Sequence, residues 1–308
     1  MPPIRDLLPG FEFEKILNSD PQTKSIVLLG KIDEQNAIVS LEKSHFQFND
    51  LQLNSLFESD NGVIGQRIRD ININDVYHWG MCLVDQDLET APSAKINVIY
   101  PATETHLKKY AAQQYHLIKE TPEAYQRIVE PYIKTMKGDR IQWVRNILFN
   151  NYEADKILLR DPDPKTGFVV LPDMKWDGDT LDSLYCVCIV NRGDISSVRD
   201  LNHSHVPWLK ELNTSLRQTI SKRYNIPRTQ LRLFVHYQPS YYHFHIHIVN
   251  IRHPGLGDSI AAGKAILLED IIENLDSGES KSYVSKTLHY VLGENHNLWN
   301  LGLKDHTV

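Results

Sequence analysis

Three histidines at alternate positions in one short segment, Tyr241-Tyr242-His243-Phe244-His245-Ile246-His247-Ile248-Val249, are the residues of this chain best suited to chemistry. Successive side chains of a strand point to opposite faces. On a strand His243, His245 and His247 therefore share one face at about 7 Å intervals, and Phe244, Ile246 and Ile248 share the other. The ordinary reading is a polar row on the solvated side of a one-sided strand. Imidazoles suit that role poorly, because threonine, lysine or glutamate would serve without a group that titrates near neutrality. Two chemical readings compete. Three imidazoles and a water can hold zinc. Alternatively, one ring nitrogen attacks phosphorus while its neighbours donate to the phosphoryl oxygens. Zinc sites usually add a carboxylate or further group that orients the rings. Here the neighbours are Ser240, Tyr241, Tyr242 and an upstream His236, donors suited to anionic oxygens. Spacing by itself leaves both readings open.

The elements that must carry this segment are alternating strands and a few amphipathic helices. Ser25–Ile32, the polar turn Asp33-Glu-Gln-Asn36 and residues 37–43 read as a hairpin. A short helix is expected around 51–57, and strands at 68–73, 76–83 and 96–100, the last ending at Pro101. From His106 the period changes: Leu107, Tyr110, Ala111, Gln114, Leu117 and Ile118 follow helical spacing. Thr121-Pro122-Glu123 supplies an N-cap and a first-turn proline for a second helix running towards Met136. Long apolar strands follow at Phe168–Pro172, 184–190, 230–236 and 243–251, with a weaker one at 156–159. A helix over Val206–Tyr224 carries Leu209, Leu212, Leu216 and Ile220 on one stripe, and another is expected over 259–275. The class is α+β. Sheet gives way to helix near 102–112, so a boundary with a helical connector is placed there, a coupled hinge rather than a floppy tether.

Composition bounds the function. At 308 residues two domains are expected, and 41% hydrophobic with 23% charged residues gives each a real core. The longest apolar run, seven residues over 184–190, is far short of a membrane span, and the opening residues show no secretory leader. Three cysteines build neither a disulfide framework nor a four-thiolate zinc site. Cys186 and Cys188 share a strand face and read as small core residues. The expectation is a soluble intracellular protein. Its net charge of −6 argues against gripping long nucleic acid, so a nucleotide ligand should be small and locally held.

The run His243-Phe-His245-Ile-His247-Ile-Val resembles the alternating-histidine signature of the histidine triad (HIT) nucleotide hydrolases and transferases. The wider run from His236 through Tyr-Gln-Pro-Ser-Tyr-Tyr to His247 resembles one branch of that family, the scavenger mRNA-decapping enzymes. Leu171-Pro-Asp-Met-Lys-Trp176, Ile141-Gln-Trp-Val-Arg-Asn-Ile-Leu148 and the segment from Tyr100 to Tyr110 extend the resemblance over nearly the whole chain. It implies an amino-terminal antiparallel β-rich lid and dimerisation domain over 1–102, exchanged between the subunits of a homodimer. It further implies a hinge at 103–112 and a HIT-fold catalytic domain of antiparallel sheet and helices over 113–308.

The implied activity is cleavage of 7-methylguanosine cap dinucleotides and short capped fragments left by 3′-to-5′ mRNA decay. The products are 7-methylguanosine monophosphate and a nucleoside diphosphate or short oligonucleotide end. By family position His245 is the nucleophile, through a nucleotidyl-histidine intermediate. His243 and His247 bind phosphoryl oxygens, one of them protonating the leaving group, and His236, Ser240 and Tyr241 contact phosphate. No metal or cofactor is required. N7-methylated guanine is cationic and stacks well on indole, and Trp143 matches the stacking position, though a tryptophan is more often plain core. Glu153 matches the carboxylate that accepts from the base edge; alone it would pass as solvated surface. Asp173, Met174 and Lys175 match positions on ribose, base and phosphate, where an exposed ion pair is the ordinary alternative. Asn74, Tyr77 and Lys109 match contacts made when the amino-terminal domain closes, although turn asparagines and surface lysines are common. Cytoplasm is the default location, since no basic cluster reads as a nuclear signal, with nuclear presence and mRNA-decay protein partners left open.

Other motifs are incomplete. Gly255-Leu-Gly257 lacks the third glycine of a dinucleotide loop, and Gly263-Lys264 lacks the rest of a P-loop, though its amides could meet phosphate at a helix start. His203-Ser-His205 reads as a helix-start surface feature. Alternatives to decapping are a HIT hydrolase of other dinucleoside polyphosphates, a catalytically slow cap-binding regulator, and the zinc hydrolase.

Overall fold

The computed structural model describes the chain apart from residues 1, 22, 45, 47–52, 55, 59–63, 65–66, 85, 90, 174–175, 254–255 and 278–281. Residues 51, 52 and 55 of the helix expected at 51–57 lie outside the described residues, as do Met174, Lys175 and Gly255. The fold is α+β, and the chain divides into two units, Met1–Ala112 and Gln113–Val308.

In the first unit β1 (Glu12–Asp20), β2 (Ser25–Ile32) and β3 (Gln35–Lys43) form an antiparallel meander. Asp33 and Glu34 turn the chain between β2 and β3 with φ of 47° and 61°, the left-handed pair that a two-residue hairpin needs. β4 (Ile68–Asn74) and β5 (Tyr77–Cys82) pair only with each other, and β6 (Ala94–Ile99) joins β3. The helix Glu104–Tyr110 packs Leu107 and Tyr110 on a small core of Leu17, Leu29, Ile38 and Ala102.

The second unit opens differently from the expectation. The helical spacing read through Ile118 ends at Tyr110, because Ala111 is extended, and Tyr115–Glu120 forms a strand, β7. Its Leu117/Ile118 pair fits either period over so few residues, and pairing with a distant strand, β14 (Leu288–Gly293), decides it. Thr121 caps the next helical segment, its hydroxyl accepting from the Ala124 amide at 3.2 Å, and helix continues to Thr135.

The central sheet has six antiparallel strands in the order β13-β11-β12-β10-β9-β8. They are β8 (Leu159–Asp161), β9 (Phe168–Pro172), β10 (Tyr185–Val190), β11 (Leu231–His236), β12 (His245–Asn250) and β13 (Ala265–Leu267). Two expectations are corrected here. The weak strand at 156–159 begins only at Leu159, and the helix expected from 259 begins only at Leu268. Ala265–Leu267 is instead taken by the edge of β11, so Gly263-Lys264 leads into a strand and not a helix start.

Both faces of this sheet are covered. Cys186, Cys188, Val190, Phe168, Val170, Ile246 and Ile248 point into the main core, with Leu209, Leu212, Leu216 and Ile220 of the helix Val206–Tyr224. Pro207 in the first turn and Asn225 at φ 53° start and stop that helix. Val187, Ile189, Val169 and Leu171 point the other way, onto Val144, Ile147 and Leu148 of the helix Gln142–Phe149. Among the described residues no helix is long and apolar enough to cross a membrane.

Candidate active site

β12 lies between β11 and β10, with His245 opposite Ile189 and His247 opposite Val187. Since Ile189 and Val187 belong to the second face, so do His245 and His247. A solvated polar row would be exposed, but His243, His245 and His247 are all buried, at 5%, 4% and 6%. His243 precedes the strand, which begins two residues later than its spacing suggested.

Each ring is held by a different partner. His243 Nε2 lies 2.7 Å from the Val190 carbonyl, and His245 Nδ1 lies 2.8 Å from the carbonyl of His243. A carbonyl only accepts, so both of those nitrogens carry protons. His245 Nε2 is therefore the lone-pair nitrogen of its neutral ring, and this buried atom has no hydrogen-bond partner among the described residues. Burial pushes the His245 pKa down to about 4, the bond to His243 opposing, and burial also lowers that of His243, with Arg145 and Lys137 adding to the effect. A buried imidazole unprotonated at neutral pH, with its proton fixed at the far nitrogen, is a nucleophile ready to attack an electrophile.

Aromatic rings surround it. Tyr241 stacks on His245 at 4.0 Å and 14°, and Trp143 meets the Tyr241 ring edge-on at 4.8 Å. His236, the last residue of β11, places its ring 4.2 Å from that of His247, with Nε2 2.8 Å from the Ser259 carbonyl. The Tyr185 hydroxyl lies 3.0 Å from His247 Nδ1. Asp173, just past β9, donates its amide to the Tyr185 carbonyl at 2.9 Å. After burial, its charge is the leading cause that raises the pKa values of Tyr185 and Tyr241, so both phenols stay protonated. Ser240 is exposed on the loop beside Tyr241.

The structure thus brings His236, Trp143, Asp173, Ser240 and Tyr241 around the histidines. Glu153 follows the helix of Trp143 at φ 55° and pairs with Lys156 at 3.1 Å. Asn74 and Tyr77 close the β4–β5 hairpin, and Lys109 lies on Glu104–Tyr110 over the Tyr110 ring, all in the first unit. The sequence reading missed Tyr185, the Val190 carbonyl and the polar cluster behind Tyr242. Only Tyr185 leaves a signal, as the one hydroxyl-bearing residue of an apolar strand on the side of Val187 and Ile189. Among the described residues no three His, Cys, Asp or Glu side chains converge as metal ligands; the imidazoles are turned to separate partners.

The buried rings carry a pH signature. His296 is also pushed down to about 4, by burial and then by Lys264. His245 and His296 are each neutral when folded and bind a proton on unfolding below pH 6.5. Stability contributed by the neutral form is thus complete above pH 6.5 and lost as pH falls towards 4, by roughly 3 kcal/mol per group at most. Urea midpoints should fall between pH 7 and pH 4.5; a midpoint flat across that window contradicts this account.

A six-stranded antiparallel sheet with alternating imidazoles on and just before a central strand, two of them with their proton fixed by a carbonyl, describes a protein of the histidine triad class. Residues 6–113 match the family described as scavenger mRNA decapping enzyme (DcpS) N-terminal, and residues 142–263 match scavenger mRNA decapping enzyme C-term binding. The chain is 42% identical over 294 residues to a protein of Schizosaccharomyces pombe named m7GpppX diphosphatase, covering 95% of this chain and 94% of that one. Proteins of the same name from Homo sapiens and Caenorhabditis elegans are 36% and 33% identical, covering 94% and 86% of this chain and 84% and 82% of theirs. The chain belongs to the scavenger mRNA decapping enzyme family.

Proposed function

We propose that this chain hydrolyses 7-methylguanosine cap dinucleotides and short capped RNA fragments, releasing 7-methylguanosine monophosphate and a nucleoside diphosphate or a short RNA bearing one. The observation that carries the chemistry is His245, with its proton held at Nδ1 and Nε2 buried without a partner. Nε2 forms a bond to the phosphorus next to 7-methylguanosine as the bond to the diphosphate leaving group breaks. Water then cleaves the N–P bond and frees the monophosphate. His247 and His236, ring against ring, lie beside the reacting phosphoryl group, and His243 serves His245 through its carbonyl. The substrate class comes from relatives named m7GpppX diphosphatase.

Trp143, 45% exposed and edge-on to Tyr241, is the stacking surface for the methylated base in this reading. Glu153, Asp173, Met174 and Lys175 complete the cap contacts, and Asn74, Tyr77 and Lys109 add to them from a closing amino-terminal lid over 1–102, hinged at 103–112. The working form is a homodimer that exchanges these domains, acting in the cytoplasm. The β4–β5 hairpin supports association. All its residues are exposed, including Ile71, Ile73, Trp79 and Met81, whereas a lone two-stranded hairpin is marginal in water.

Mass-spectrometric product analysis with methylated and unmethylated cap dinucleotide tests the reading. Release of 7-methylguanosine monophosphate, with the methylated substrate preferred, is expected. Tight cap binding without cleavage points instead to a sequestering regulator. Trp143→Ala should raise KM for the methylated cap roughly ten- to thirtyfold, the worth of a cation–π contact, and erase most of the preference for methylation. An unchanged preference removes Trp143 from base recognition.

A further inference from the structure

Behind the histidine strand lies a buried polar cluster that the proposed reaction does not use. Glu120, at the end of β7, is fully buried. Its Oε1 accepts from Arg199 Nε at 2.8 Å and from the Tyr237 hydroxyl at 2.7 Å. Its Oε2 accepts from Gln238 Nε2 at 3.1 Å and from the Tyr290 hydroxyl. Arg199 also donates to the carbonyls of Tyr283 and Lys286. Burial, and then the charge of Glu120, raises the pKa values of Tyr237 and Tyr290, which keeps both hydroxyls as donors. A buried ion pair holds its geometry when its remaining lone pairs and protons find partners, and these do.

Gln238 connects this cluster to the catalytic loop. Its amide nitrogen donates to Glu120 and to the Tyr290 hydroxyl at 3.1 Å each, and its amide oxygen accepts from the Tyr242 hydroxyl at 3.0 Å. Its backbone carbonyl accepts from Lys264 Nζ at 3.0 Å, which gives the Gly263-Lys264 segment a bracing contact. Tyr242 is 3% exposed, so water offers its hydroxyl no ready alternative. The next residue is His243, whose carbonyl holds the Nδ1 proton of His245. On the far side the backbone is tied by Phe244, its amide donating to Ile195 at 3.0 Å.

We infer that Gln238 is a positioning residue for His245, acting through the Tyr242 hydroxyl and the His243 carbonyl, with the buried Glu120–Arg199 pair as its anchor. This rests on His245 being the attacking group. If the peptide after His243 turns away, Nδ1 loses its acceptor, the neutral ring redistributes between tautomers, and part of the population carries its proton on the attacking nitrogen.

Tyr242→Phe is the sharpest test, since it deletes one hydroxyl and leaves Glu120 all its donors. Single-turnover cleavage of cap dinucleotide should fall about tenfold or more, while affinity for 7-methylguanosine monophosphate stays within about twofold. The acid limb of the rate profile should move further down from near pH 4, because the lost bond to the His243 carbonyl is what opposes the effect of burial, and ¹⁵N spectra of the imidazoles should show His245 in mixed tautomers. A purely structural role would lower the folded fraction but leave both signatures untouched in the molecules that fold. Gln238→Met carries the same readouts should Tyr242→Phe not fold. Wild-type rate, acid limb and tautomer in either folded variant overturn the inference. Wild type and His245→Asn run alongside. Failure of wild type to cleave, or cleavage by His245→Asn, sinks the nucleophile reading and this inference with it. If both behave as expected and Tyr242→Phe matches wild type, the positioning role alone fails.

Discussion

His245→Asn is expected to lower cap-cleavage turnover by at least about 10⁴-fold, while cap binding changes by no more than about threefold. The asparagine amide can still donate to the carbonyl of His243, as Nδ1 does at 2.8 Å, so the loop and the strand keep their geometry. What disappears is the lone pair of Nε2, the buried atom that has no hydrogen-bond partner among the described residues. An amide nitrogen offers no replacement nucleophile. The effect therefore belongs in turnover and not in affinity. Rapid-quench measurement with labelled cap dinucleotide gives the rate, and mass spectrometry of quenched wild type should find the nucleotidyl adduct on the peptide that carries His245. Activity within tenfold of wild type would place the attack elsewhere.

The second large effect is on stability. Arg199→Met removes a fully buried guanidinium that binds the Glu120 carboxylate and three backbone carbonyls, those of Glu120, Tyr283 and Lys286. Burial disfavours the Arg199 charge, yet Tyr237 and Glu120 outweigh it and raise its pKa, so the native residue is a cation facing a buried carboxylate. Methionine fills part of the volume but leaves Glu120 without its counter-charge. Breaking a buried pair from one side costs on the order of 3–5 kcal/mol. In a unit of this size the thermal midpoint should fall by about 10 °C. The double variant Glu120→Gln with Arg199→Met should recover part of the loss, because neither side then buries a lone charge. Calorimetry on the three proteins reads both effects, and a midpoint for Arg199→Met within about 2 °C of wild type contradicts the account.

Several elements could be read directly from the chain. Phe168–Pro172 and Val206–Tyr224 occur at the expected residues, the first a short apolar run, the second carrying helical periodicity with a first-turn proline. Tyr115–Glu120 and Ala265–Leu267 were read as helical and are strands. Both are too short for their apolar spacing to separate the two periods, and each takes its structure from a partner far along the chain or across a loop. The candidate site divides the same way. Tyr241 stands out by its type and Trp143 by the family resemblance, but their edge contact joins a helix and a loop nearly a hundred residues apart. Tyr185 has the right face but no motif. Glu120 and Arg199 are ordinary charged residues until the fold removes them from water.

From the chain alone one reads that three imidazoles alternate in one short apolar segment, that the class is α+β, and that the family resemblance runs through both halves. Side-chain alternation and local periodicity are properties of the backbone and of neighbours, so they can be read without knowing the fold. Only the tertiary structure decided that both faces of the strand are covered, that Val190 and His243 supply the carbonyls that fix the ring protons, and that Gln238 ties the loop to a buried ion pair. Burial and hydrogen-bond direction arise between residues distant in the chain. They turn His245 from a surface imidazole that titrates near neutrality into one that stays unprotonated to about pH 4.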